Sequence, residues 1–197
     1  MQNLKDMQIY LAGDMLYKGS QLLRNAEKED LISIGGKVYS PQEDKEINDK
    51  QNQTEHSNNK LAEKIVYKDT KAIVESDIII IEPQRFAEGT LVELGQIKGM
   101  RDAYDDIFKF MQKLYSERII NIKTFAEFVD TYGPKYDKKV YPHLEDLRRT
   151  DIPEVGDRRS FGINQYVYGV CLDLTDGKGF YSWEDILKEL EVKNNEL

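Results

Sequence analysis

Two carboxylates stand where packing alone would not choose them. Leu61, Ile65, Asp69 and Ile73 recur at a spacing of four, so Asp69 shares the helical stripe that should face a core. Burial there would raise a carboxyl pKa, because the charged form loses its water. Asp69 is then either satisfied by neighbouring backbone or held at a site, and the spacing leaves both readings open. Glu93, in GTLVELGQIKGM, shares a face with Ile97 and Met100 and should also lean inward. A helix beginning at Thr90 puts Glu93 in its first turn, where the macrodipole favours an ionised carboxylate. Gly89, just before that turn, allows close backbone approach. An ionised, partly desolvated carboxylate at a strand-to-helix mouth can act as a nucleophile. Taken by itself, a Glu chosen to cap a helix start is the simpler reading of that position.

The elements that must hold these groups alternate along the chain. Met7 to Ala12 reads as a buried strand, closed by Gly13 and Asp14. A helix over Ser20 to Ile34 carries Leu22, Leu23, Ala26 and Leu31 at helical spacing and ends at Gly35-Gly36. Lys37 to Ser40 is a second strand, stopped by Pro41, and the polar stretch Gln42 to Lys60 reads as one long loop. A helix over Leu61 to Ser76 leads into Asp77 to Ile81, apolar on both faces as an interior parallel strand is. Glu82 to Gly89 is a loop, and Thr90 to about Arg101 a third helix. Stripes at Ile107, Phe110, Met111 and Leu114, then at Ile122, Phe125, Phe128 and Val129, predict an inserted helical hairpin over about 102–136. Lys138 to His143 returns to the sheet, Ile163 to Leu174 is a helix, and Ser182 with Asp185 opens the last one. The pattern predicts one α/β domain over 1–197 with a mainly parallel sheet, whose polar strand ends should border any ligand site.

Composition narrows the function classes. Asp and Glu number 36 against 28 Lys and Arg, giving a net charge of -8 that repels a phosphate backbone. Cys171 is the single cysteine, so no internal disulfide forms, and it reads as a small buried hydrophobe. No apolar run is long enough for a bilayer, and MQNLKDMQIYLAG lacks the pattern of a signal peptide. A cytoplasmic protein without nucleic-acid or membrane partners is expected. His56, in the polar loop, and His143 are isolated, and the acidic run EDKEINDK lacks the glycine of a calcium loop, so no metal site is expected. Arg148, Arg149, Arg158 and Arg159 read as surface ion pairs or as a phosphate contact.

IYLAG, VYSPQ, KDTKAIVESDIIII, GTLVELG and KKVYPHLEDLRRTDIPEVGDRRSFGINQYVYG, in that order and spacing, resemble the nucleoside 2-deoxyribosyltransferase family, most closely its longer, bacteriophage-type members. The resemblance implies a flavodoxin-like sandwich that exchanges bases between 2′-deoxynucleosides and free nucleobases without metal or organic cofactor. It places the nucleophile that attacks C1′ at Glu93, the tyrosine bonded to it at Tyr10, and the carboxyl near the departing base at Asp69. It also implies a homo-oligomer in which Asn164 reaches the sugar's 5′-hydroxyl from a neighbouring subunit, with Gln42 contacting the base. Gly13, Asp14 and Gly89 would border the substrate. Two positions depart from the pattern: Asp14 stands where many relatives carry proline, and Ala87 where many carry aspartate, leaving Glu88 as the available substitute. The runner-up functions are hydrolysis of deoxynucleoside 5′-monophosphates and non-catalytic nucleotide sensing.

Overall fold

The computed structural model describes residues 3–48, 54, 58–146 and 162–195. Four strands, β1 (Gln8–Ala12), β2 (Lys37–Tyr39), β3 (Ile78–Ile81) and β4 (Lys139–Pro142), form an all-parallel sheet in the order β2-β1-β3-β4. That order, with helices on both faces, is the start of the flavodoxin-like winding. Pairing sets Tyr10 beside Tyr39 on one side and Ile79 on the other, and Ile79 beside Val140.

Among the described residues seven α-helices surround the sheet: α1 (Lys18–Ser33), α2 (Lys45–Asn48), α3 (Leu61–Glu75), α4 (Glu88–Ser116), α5 (Ile122–Tyr136), α6 (Gln165–Leu174) and α7 (Trp183–Asn195). Alternation along the strands sends Ile9, Leu11, Ile78 and Ile80 to a core with Leu31, Ile186 and Leu190, and Tyr10, Ile79, Ile81 and Val140 to a core with Ile73, Leu94, Ile97 and Cys171. All four isoleucines of β3 are fully buried, each contributing about 1.5–3 kcal/mol. Cys171 is buried in the core that holds Ile79 and Ile81, and desolvation pushes its thiol up to about 12.

Three expectations are corrected. In α1 the inward face is Arg24, Glu27 and Leu31, whereas Leu22 is 56% exposed and Ala26 is exposed. The stretch after Pro41 is not all loop: Asp44 receives the Glu46 amide at 3.0 Å and starts α2, whose Ile47 is fully buried. The third helix does not end near Arg101. It starts at Glu88 and runs unbroken to Ser116, so the first arm of the hairpin is its second half.

That half packs on α5 through aromatic contacts, Tyr104 on Phe128 at 5.8 Å and Phe108 on Phe125 at 5.6 Å. Asn121 caps α5 by accepting the Thr124 amide at 2.9 Å. Lys138, buried, donates to the Val74 carbonyl at 2.8 Å, to Pro134 at 3.0 Å and to Ser76, joining the carboxyl ends of α3 and α5. Desolvation pulls its pKa down to about 8. Among the described residues no helix is long and apolar enough to cross a membrane.

Candidate active site

Tyr10 lies on the α4 side of the central strand β1, fully buried, and its hydroxyl donates to Glu93 Oε1 at 2.8 Å. Burial, the nearby Glu93 and Asp69 charges and this bond hold the Tyr10 phenol well above its ordinary pKa, so it serves as a donor. Tyr39 occupies the matching position of β2 and stacks on Tyr10 at 5.7 Å and 16°. The Tyr39 hydroxyl lies 3.4 Å from Asp69 Oδ1 and 3.2 Å from Asp44 Oδ2. Asp69 faces inward from the middle of α3, only 8% exposed, as its stripe requires. Lys68, the residue before Asp69 in α3, binds both Asp44 oxygens at 2.9 and 3.0 Å.

Both central carboxyls are hard to ionise. Desolvation raises Glu93 to about 7; the Tyr10 bond opposes this and the Asp69 charge adds to it. Desolvation raises Asp69 to about 6, opposed by the Tyr39 bond, while the Asp44 charge raises it further and Lys68 lowers it. Burial thus raises Glu93 as well as Asp69. The start of α4 at Glu88 puts Glu93 in its second turn rather than its first.

The remaining sequence candidates sit at varied distances from this pair. Gly13 and Asp14 follow β1 directly. A Cβ on Gly13 would lie 2.4 Å from Arg24 Nη1, so a larger residue there would have to displace the buried Arg24 guanidinium. Asp14 is buried, and its Oδ1 accepts the Leu16 amide at 3.2 Å. Gly89 and Glu88 belong to the first turn of α4 rather than to the loop before it, and both are exposed. A Cβ on Gly89 would meet no atom within 4 Å, so no packing demands glycine there. Ala87 is buried as the N-cap of α4. Gln42 turns its amide nitrogen back to α1, toward the Gln21 carbonyl at 3.4 Å and Asn25. Asn164 is the exposed N-cap of α6, accepting the Tyr166 amide at 2.8 Å. His56 and the four arginines at 148, 149, 158 and 159 lie outside the described residues. His143 is buried, with Nε2 3.7 Å from Glu27 and its ring against Trp183. Among the described residues no group of three His, Cys, Asp or Glu side chains could hold a metal ion.

Two groups escaped the sequence reading. Tyr39, Asp44 and Lys68 converge on Asp69 from β2, its following turn and α3; the available signal was that both IYLAG and VYSPQ place a tyrosine just before a polar strand end. The second is a buried ion cluster behind the sheet. Arg24 donates to Glu82 at 2.6 Å, to Glu27 at 2.9 Å and to the Ala12 carbonyl at 3.2 Å, and Glu82 accepts the Glu145 amide at 3.2 Å. It ties together the carboxyl ends of β1 and β3 and the chain after β4, which carry the loops beside the site.

The model of the nucleoside 2-deoxyribosyltransferase family matches residues 9–117, more than half of the chain and the whole run from β1 to the end of α4. A search of curated proteins gives no match. Among solved structures, the chain is similar to a conserved protein from Enterococcus faecalis V583, at 17% identity and a TM-score of 0.58, covering 95% of this chain and 98% of that one. It is also similar to 2-deoxyribosyltransferase from Bacillus psychrosaccharolyticus, at 18% identity and a TM-score of 0.48, covering 91% and 90%. The first of these likenesses speaks to the fold, and neither decides an activity. The family match spans every strand and helix that carries Tyr10, Asp69 and Glu93, and the chain belongs to the nucleoside 2-deoxyribosyltransferase family.

Proposed function

We propose that this chain transfers 2-deoxyribose between nucleobases through a covalent ester on Glu93. The observation that carries the reading is the Tyr10–Glu93 hydrogen bond beside buried Asp69, in a member of this family. In the first half-reaction a Glu93 oxygen bonds to C1′ of the deoxynucleoside as the C1′–N bond breaks. The base leaves with the proton of Asp69. In the second half a free base attacks C1′, Glu93 departs as carboxylate, and Asp69 takes the incoming base's proton back. Two displacements at one carbon restore its configuration.

The charge states follow from the pair. Near neutral pH two carboxyls at about 7 and about 6 share protons readily. Positive charge developing at C1′ favours an ionised Glu93, and negative charge developing on the base favours a protonated Asp69, so the bound substrate drives the proton to where it is used. This route calls on no metal or organic cofactor. Gly13, Asp14 and Gly89 border the sugar in this reading, Gln42 and Glu88 are candidates for the base, and Asn164 of a neighbouring subunit reaches the 5′-hydroxyl in a homo-oligomer.

Incubation with thymidine and adenine tests the proposal. Deoxyadenosine and free thymine are expected. Thymine without a new nucleoside would move the assignment to hydrolysis, and ligand binding without base release, across a panel of deoxynucleosides, would move it to sensing.

A further inference from the structure

Tyr39 presents one hydroxyl to two carboxylates. Its oxygen lies 3.2 Å from Asp44 and 3.4 Å from Asp69, both longer than the usual O–H···O distance of about 2.7–2.8 Å. A phenol donates one proton, so only one of these bonds forms at a time. The ring is held by stacking on Tyr10 and by the β1–β2 register, which lets the O–H rotate while the oxygen stays in place.

The two acceptors differ in kind. Asp44 is a fixed anion: burial opposes its charge, but Lys68 on both oxygens and the Glu46 amide outweigh that and hold its pKa low. Asp69 changes its proton during turnover. It is faced by Tyr39 from β2, Asp44 from the turn after it, Lys68 from its own helix, Glu93 from α4 and Tyr10 from β1. Of these, Tyr39 is the hydrogen-bond donor able to choose.

We propose that the Tyr39 hydroxyl is a two-position switch, donating to Asp44 while Asp69 carries its proton and turning to Asp69 once that proton has left with the base. The inference rests on the deoxyribosyl-transfer reading of the site. Tyr39 keeps its own proton throughout; the proton that moves passes from Asp69 to the departing base and returns from the incoming one. Tyr39 is thus a positioning residue. It stabilises the Asp69 carboxylate that remains once the proton is spent, and so makes Asp69 a stronger acid toward the departing base. The Asp44–Lys68 pair supplies the resting position.

The switch makes opposite demands on two variants. Tyr39→Phe keeps the stacked ring and removes the donor, so Asp69 holds its proton more tightly. Asp44→Asn removes the resting acceptor's charge, which makes Asp69 the stronger acceptor for the hydroxyl and also lifts the Asp44 repulsion, so Asp69 releases its proton more easily. The midpoint is read from carboxyl carbon-13 shifts of labelled aspartates in a Glu93→Gln background, where Asp69 titrates without its neighbour, with Asp69→Asn assigning the signal. The Asp69 midpoint should rise by about one pH unit with Tyr39→Phe and fall with Asp44→Asn. In the otherwise unmodified chain, single-turnover release of thymine should slow by up to about tenfold with Tyr39→Phe, while attack by adenine on the ester is not slowed. Melting curves check that each variant is folded, and Tyr39→Phe alone carries the test if Asp44→Asn is not.

An unmoved Asp69 midpoint in a base-exchanging enzyme would overturn the switch, as would equal slowing of both half-reactions. A chain whose Asp69 shifts as described but which exchanges no bases would instead refute the deoxyribosyl-transfer reading, and with it the switch's part in turnover.

Discussion

The Tyr10 hydroxyl and the Glu93 carboxylate meet at 2.8 Å across 83 residues of sequence, one from the central strand and one from the second turn of α4. The bond favours the ionised form of Glu93 against the burial that otherwise raises it to about 7. Tyr10→Phe removes that help, so Glu93 needs a higher pH to ionise. Base exchange should fall by about tenfold or more, and the loss should be larger at about pH 6 than at about pH 8. A pH–rate profile checks this, and a uniform loss across pH would assign Tyr10 to packing alone.

Asp69→Asn leaves the shape of the α3 stripe and removes the dissociable proton. The loss should be greatest for poor leaving bases and small for a base that departs without protonation. Rates for a series of deoxynucleosides with different bases test this. Equal loss across the series would mean that Asp69 only maintains the site's structure.

The cluster behind the sheet predicts stability. Arg24 and Glu82 are 2% and 1% exposed, and Arg24→Met would strand the Glu82 charge, costing about 3–5 kcal/mol in denaturant unfolding. Glu27, beside them, is raised to about 8, first by burial, with Arg24 opposing and Glu82 adding. Its folded pKa thus exceeds its unfolded value, so the native state binds more protons between the two. Its contribution is full below the unfolded pKa and is lost as pH rises toward about 8. Glu27→Gln should flatten that decline, and unfolding free energies measured across the window decide it.

If Asn164 serves a neighbouring subunit, mixing two defective chains should restore activity. A Glu93→Gln chain retains Asn164, and an Asn164→Ala chain retains Glu93, so a mixed oligomer contains one complete site. Doubly tagged oligomers should exchange bases well above either parent. Confirmed mixed oligomers without recovery would confine Asn164 to its own chain, where it already caps α6.

The parts of the molecule legible in sequence are those fixed by local pattern. Four consecutive isoleucines make an interior parallel strand, and the spacing of Leu61, Ile65, Asp69 and Ile73 turns Asp69 inward. The length of α4 was not legible, because residues 101–104 contain no breaker and the segments on either side are both helical. The inward face of α1 was misread because Arg24 and Glu27 are charged. Their burial depends on Glu82, which lies 58 residues beyond Arg24. Tyr39, Asp44 and Lys68 were missed for a related reason: their convergence on Asp69 exists only after β2 and α3 have packed. Where α4 begins was not legible either, since helix ends are the least certain feature of a sequence pattern.

The most direct measurement is of the ester itself. The protein is incubated with thymidine alone, quenched in acid, digested and analysed by mass spectrometry, with a parallel sample chased with adenine before quenching. The account predicts a deoxyribosyl adduct on the peptide containing Glu93, absent after the chase and absent from the Glu93→Ala variant. An adduct on another residue, or a Glu93→Ala protein that is folded and still exchanges bases at a near-normal rate, would contradict it.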